Sequence, residues 1–253
     1  MSSAKDIIVN PINAKAAGGI VKKIHYSGKV VNNSRLHFGV FLHGKLEGAM
    51  SFGCSMDIRR VSALVSGTGW NDFIELNRMA FSDSLPKYSE SRALGVAIRL
   101  IRKSYPQIKW IISFSDATQC GDGVIYRASG FCLTGIKKNT QMLKMADGTI
   151  QAKKTLDNPN NSFNGKFGSK IARENGAKPL DGFQLRYVYF IDKTYKDKLA
   201  VPILPFSAID DAGARMYKGE KYTRVKGQAL EHHSSLGGSN PTCALQTSEV
   251  VNG

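Results

Sequence analysis

The sequence is short of acid. Against 35 lysines and arginines stand only 20 aspartates and glutamates, a net charge of +15 over 253 residues and a pI near 9.7. A surface with that imbalance attracts polyanions, of which nucleic acid is the commonest. The chain also has no apolar run approaching the length of a membrane span and no signal-peptide core, which argues against membrane insertion and secretion. Its four cysteines, Cys54, Cys120, Cys132 and Cys243, include no CxxC pair and no metal-ligand spacing with the five histidines. They read as reduced thiols of a cytoplasmic protein. There is no internal repeat. A hydrophobic fraction of 42% is ordinary, so the chain can build a real core.

The most informative stretch is 110–136. Residues 110–114, Trp-Ile-Ile-Ser-Phe, form a short run rich in β-branched and aromatic side chains, the signature of a buried strand. It gives out into Ser115, Asp116, Thr118 and Gln119, followed by Gly121 and Gly123. A short helix is expected over 122–128, capped by Gly130, and a second strand over 131–135. Strand, polar loop, helix and strand make a βαβ unit, and open sheets take ligands at the carboxyl ends of their strands. Asp116 and Tyr126 are therefore the first site candidates. The same residues also read as a turn or cap carboxylate and a core aromatic.

Residues 36–42 and 46–52 alternate as a hairpin about His43-Gly44, and Ser55 is placed to cap a helix over 56–65. A strand follows over 72–81, with Glu75 and Asn77 on one side. An amphipathic helix capped by Ser89 or Ser91 runs to about Lys103. Residues 36–136 thus read ββαβαβαβ, a mixed α/β sheet. Residues 1–20 show no convincing period. His25 and Tyr26 stand in a basic, polar segment, 22–29, as groups able to do chemistry, although a lone histidine is also commonly structural. Beyond 136 a hairpin is expected around residues 146–148. A long polar stretch over 151–180, with Lys153, Lys154, Lys166, Lys170, Arg173 and Lys178, is either a solvated loop or a nucleic-acid contact. Residues 183–191 read as a strong strand and 202–206 as an extended segment packed on the sheet.

Two resemblances follow from these residues. Arg92-x-x-Gly95-x-Ala97, at the start of a helix that follows a strand, resembles the pyrophosphate-binding signature of the GNAT acyltransferase superfamily, which implies Ser91, Arg92, Ala93 and Gly95 as cofactor-binding residues for an acyl-CoA-like donor. Orphan amides and the helix dipole favour an anion at such a place. The ordered series of residues 75–79, 89–92, 112–116, 121–131 and 185–190 is similar to the Mom proteins of Mu-like phages, over about residues 20–225. The expected architecture is then α/β, a GNAT-like mixed central sheet flanked by helices, with a basic C-terminal extension: an N-terminal extension at 1–20, a core at 21–142, the extension with additional strands at 143–225, and a disordered tail at 226–253.

The resemblance implies modification of phage DNA in the host cytoplasm, adenine becoming its N6-carbamoylmethyl derivative, which protects the genome from restriction. It implies His25, Asp116 and Tyr126 as the essential residues, and suggests an iron ion for which His25 and Asp116 would be ligands and His43 a further one. The substrate would be double-stranded DNA with the target base flipped out, held by the basic surface. Two other readings are an acyl-CoA-dependent N-acetyltransferase of a small amine or protein, and a non-catalytic DNA-binding protein on the same fold. The group donor, the target context and the oligomeric state are not legible in the residues.

Overall fold

The structure is a computed structural model, and it describes residues 2–161, 167–217 and 220–221. The elements are, in order, β1 (Ile8–Pro11), α1 (Ala14–Ile24), β2 (Ser34–Leu42), β3 (Lys45–Gly53), α2 (Ile58–Ser62), β4 (Phe73–Phe81), α3 (Ser89–Ser104), β5 (Trp110–Asp116), α4 (Val124–Ala128) and β6 (Cys132–Lys138). There follow β7 (Met142–Lys144), β8 (Ile150–Ala152), α5 (Lys153–Leu156), α6 (Gly168–Glu174), β9 (Lys178–Pro179), β10 (Phe183–Phe190), α7 (Ala208–Asp211), β11 (Met216–Tyr217) and β12 (Glu220–Lys221).

Seven strands form the main sheet in the order β1-β2-β3-β4-β5-β10-β6. It is mixed: β4 and β5 are parallel, and the other neighbours are antiparallel. The expected mixed sheet flanked by helices is therefore present. β5 and β6, however, are not neighbours as a simple βαβ unit would have them, because β10 returns late in the chain and inserts between the two. Leu185, Tyr187 and Val188 of β10 are wholly buried, as suits a strand with a neighbour on either side. The expected reading of residues 1–20 as lacking a period also gives way: β1 pairs with β2, and α1 is capped by the side chain of Asn13, which accepts from Ala16 N–H at 2.8 Å.

Period-two alternation puts the two faces of the sheet to different uses. Ile111 on β5 packs with Leu94, Ala97 and Ile101 of α3 and with Tyr126 of α4. Trp110 and Ile112 face the other way, into a cluster with Val61, Val65 and Phe73 beside α2. Helix α1 lies on that second face, packed over β2, β3 and β4. The His43-Gly44 turn is where it was expected, both residues having positive φ, 49° and 79°.

The described residues of 142–161 and 167–180 are more than a plain loop. β7 pairs with β8 and with β9 in a small sheet of their own, and α5 and α6 lie between β8 and β9 in the chain. The extended segment at 202–206 packs as expected, with Leu204 N–H donating to the Leu133 carbonyl at 2.8 Å. Lys166 and the tail from 226 lie outside the described residues. Among the described residues no helix is long and apolar enough to cross a membrane. Cys54 and Cys132 are free thiols.

Candidate active site

Strands β4 and β5 pair over only three residues, Phe73 with Trp110, Ile74 with Ile111 and Glu75 with Ile112. Beyond that point they part. Each remains held on its far side, β4 by β3 as far as Phe81 and β5 by β10 as far as Asp116. Residues 76–81 and 113–116 thus present unpaired backbone edges to a gap in the middle of the sheet, where backbone groups are free for a ligand. The gap is a cleft walled by Tyr26 and His25 below α1, Arg78 of β4, Glu90 of α3, Asp116 of β5 and Tyr126 of α4. A second, mostly apolar cavity adjoins it, sharing Met79, Ser115, Ile125 and Tyr126 and closed by Met216 and Tyr217.

Asp116 ends β5. Its Oδ1 accepts from Thr118 N–H at 3.0 Å and its Oδ2 from the Gln119 side-chain amide at 3.1 Å, so it does serve the turn. A carboxylate has about four acceptor positions, and two donors leave capacity for more. Tyr26 shares the cleft with it, and burial first, then the Asp116 charge, push the Tyr26 phenol well above its ordinary range. Tyr26 therefore keeps its proton beside the Asp116 carboxylate.

Tyr126 reaches the cleft from α4. That helix is anchored by Asp122, which is buried and ion-paired with Arg127 at 3.1 Å, while the Tyr187 hydroxyl donates to the Asp122 carbonyl at 2.5 Å. Gly123 begins the turn with φ 82°, and a Cβ there would lie 2.4 Å from Tyr187 Cε2, so only glycine lets the helix sit this close to β10. Tyr126 is buried against Phe131 and Tyr187 and is part of the core as well as of the cleft wall. Burial raises its phenol pKa, with Ser113 lowering it and Glu75 raising it further.

His25 closes α1, its backbone N–H bonded to the Val21 carbonyl. Its Nδ1 accepts from Ser27 N–H at 3.1 Å, which puts the proton of the neutral ring on Nε2. Burial, and then the Arg78 charge, push its pKa down to about 3, so the ring is neutral at physiological pH. Arg78 in turn is pinned by the carbonyls of Lys29 and Asn77, at 2.9 and 2.7 Å.

The expected trio of His25, Asp116 and Tyr126 therefore meets in one cleft. Three further residues share it. Tyr26 stood beside His25 in the same polar segment, and Arg78 is a charged residue inside a strand that otherwise buries its neighbours. Glu90 is a carboxylate almost wholly buried in the first turn of a helix, where its apolar surroundings raise its pKa.

An iron site is not assembled. The nitrogen of His25 that is free of the Ser27 amide carries a proton and so is no ligand as held, and His43 lies at the β2–β3 turn bonded to Ser2 at 2.9 Å. Among the described residues no three His, Cys, Asp or Glu side chains gather as a metal would require.

The Arg92–Ala97 segment does not wall the cleft either. Helix α3 begins at Ser89 behind Tyr88, which adopts a left-handed φ of 70° and provides no side-chain cap, so neither Ser89 nor Ser91 is the N-cap. Gly95 then falls in the second turn, where its amide belongs to the helical ladder, and a Cβ on it would meet only Arg99 Nη1, at 3.8 Å. Ala93 is buried in the core and Arg92 is exposed. Ser91, in the first turn, gives its hydroxyl to the Tyr88 carbonyl at 3.2 Å. Gly95 and Ala97 thus lie past the first turn of α3, in which the amides of residues 89–91 have no carbonyl partner within the helix.

Among solved structures, the ribosomal-protein-S18-alanine N-acetyltransferase of Escherichia coli is similar over 74% of this chain and 94% of its own, at 12% identity and a TM-score of 0.42. An acetyltransferase of Bacillus subtilis, in complex with CoA, is similar over 73% and 97%, at 12% identity and a TM-score of 0.40. In sequence, the chain is 38% identical over 138 residues to the methylcarbamoylase mom of Escherichia phage Mu, a match that spans 54% of this chain and 57% of that protein. The profile of the Mom protein family matches residues 6–208, across both strands of the cleft and every residue placed in it, and the chain belongs to that family.

Proposed function

We propose that this chain transfers a carbamoylmethyl group to the exocyclic amine of adenine in phage DNA, with the target base flipped into the cleft between β4 and β5, and that it does so in the host cytoplasm to protect the genome from restriction. The observation that carries the reading is the convergence of Asp116, Tyr26, His25 and Tyr126 at the point where the two strands part.

An adenine amino group is a weak nucleophile, its lone pair being drawn into the ring, and it sheds a proton as its new bond to carbon forms. Asp116 accepts that proton, and Tyr26 holds the carboxylate in place by donating to it. Tyr126, kept protonated by burial, is the acid that returns a proton to the departing carrier. His25, neutral and presenting Nε2–H, is a hydrogen-bond donor to the base or to the incoming group, and it is not a base. The carrier is an activated donor of the carbamoylmethyl group whose leaving group takes the proton from Tyr126; simple acyl transfer from coenzyme A would give a different product, so an acyl-CoA-like carrier would have to deliver the group through its methylene carbon.

Nucleoside mass spectrometry of plasmid DNA from cells expressing the chain tests the reading. An adenosine carrying the mass of an added acetamide group is the expected result. Unmodified DNA from well-expressed, folded protein overturns it, and acetylation of a small amine by the same protein would replace it with N-acetyl transfer.

A further inference from the structure

Between Asp6 and Glu47 the chain has no acidic residue at all, while it carries six lysines and arginines. That stretch comprises α1, the loop after it, and β2, and its Ile24, His25 and Tyr26 wall one side of the cleft. A groove runs along this wall, lined by Lys15 and Lys22 of α1, by Val30 and Asn32 of the loop, by His37 of β2 and by Arg78. Arg78 belongs to both the groove and the cleft, so the two are continuous. Lys15 and Lys22 are exposed and make no ion pair among the described residues. Seven residues apart on a helix, they stand on one face about 10 Å apart along its axis. That spacing is roughly three nucleotide steps at 3.4 Å each. Between them, Gly18 and Gly19 of α1 line the groove without side-chain bulk.

We propose that this groove is the track for the DNA strand flanking the flipped adenine, its phosphates neutralised by Lys15 and Lys22, with Arg78 at the junction where the strand meets the cleft. The assignment rests on the DNA-modifying reading above and adds to it the surface that holds the strand. It sets the acid-free wall against the other basic candidate, the 151–180 region. There Lys154 turns back to the Met56 sulfur at 3.4 Å, outside the residues that line the groove.

The test is the salt dependence of binding to an adenine-containing duplex, followed by fluorescence anisotropy for the full chain, for a Lys15→Gln/Lys22→Gln variant and for a Lys153→Gln/Lys154→Gln variant. Each lost phosphate contact lowers the slope of log K against log salt by about 0.7–0.9, so the groove variant is expected to lose about 1.4–1.8 from the slope and to bind more weakly at low salt. The second variant keeps the wild-type slope. Both pairs are at the surface, and a thermal melt equal to wild type verifies that the fold is intact. A groove variant with the wild-type slope overturns the proposal, whether or not the Lys153/Lys154 variant has lost it. The fate of the DNA-modifying reading is separate: wild-type protein that binds duplex with a steep slope yet leaves its adenines unmodified ends that reading, and the groove stands or falls on the slope alone.

Discussion

Strands β4 and β5 are two different objects along their length. Where they pair, at 73–75 and 110–112, they are apolar and closed, with Phe73 stacked on Trp110 at 4.6 Å and Ile111 and Ile112 fully buried. Where they part, at 76–81 and 113–116, the residues turn to Asn77, Arg78, Ser113, Ser115 and Asp116. The same pair of strands thus gives rigidity at one end and chemistry at the other. Side chains in the closed half pin the geometry from which those in the open half project, so substitutions in the two halves should fail in different ways.

Asp116→Asn gives the largest effect. A positioned general base contributes about 10²–10⁴-fold, and the amide keeps the size and an oxygen to accept from Thr118 N–H while losing the charge and the second acceptor that faces the Gln119 amide. Modification rate should fall by that factor with the melting temperature and DNA affinity close to wild type. A loss of stability that accounts for the lost activity would move Asp116 from chemistry to the turn it caps. In the closed half, Trp110→Ala removes a fully buried side chain, and such truncations cost about 3–5 kcal/mol. Chemical denaturation should register that loss in full, whereas the rate per folded molecule should change far less than in Asp116→Asn.

Tyr26→Phe sharpens the contrast within the open half. It removes the hydroxyl proposed to donate to the Asp116 carboxylate, a contact worth about 1.5–3 kcal/mol, and leaves the ring beside His25, 4.4 Å between centroids. A drop in rate of about tenfold or more is expected, with the melting temperature close to wild type. A rate equal to wild type would make Tyr26 a packing residue only.

How much of this was legible in the chain follows the same division. The β2–β3 hairpin, α3 and β5 could be read because each announces itself locally, by alternation about His43-Gly44, by an apolar stripe, and by a β-branched run. Asp116 was visible for the same reason, a polar residue where such a run stops. β1 and α1 were hidden because Gly18-Gly19 and the lysines blur the period, and α1 is held by packing on β2, β3 and β4 more than by propensity. The insertion of β10 was hidden because its partners β5 and β6 lie far back in the chain, and consecutive strands are neighbours only about two-thirds of the time. The start of α3 was hidden: Tyr88 in a left-handed conformation begins the helix early enough to carry Gly95 into the second turn, and nothing in the local pattern marks that residue as the starting point. Glu90 and Arg78 carried a signal in retrospect, charges at positions whose neighbours are buried, but which cavity they face is decided only by the parting of the strands.

The smallest effect comes from His25 and tests whether the open half is as desolvated as its geometry implies. Its pKa is about 3 in the folded chain against 6.5 in the ordinary case, the cause being burial first and Arg78 second. Between those two values the unfolded chain binds a proton that the folded chain does not, so stability rises with pH through this window and falls on acidification from about 6.5 towards 3. Above 6.5 the ring is neutral in both states and adds no slope. His25→Gln should therefore flatten the dependence of denaturation midpoint on pH between 4 and 6 while leaving it unchanged between 7 and 8. The rate profile above pH 5 should keep its shape in this variant, since a ring already neutral there titrates nothing that the reaction uses. A wild-type slope that survives the substitution would assign the acid sensitivity to another group, and His25 would then sit in water like an ordinary surface histidine, leaving Asp116 and the two tyrosines to account for the cleft by themselves.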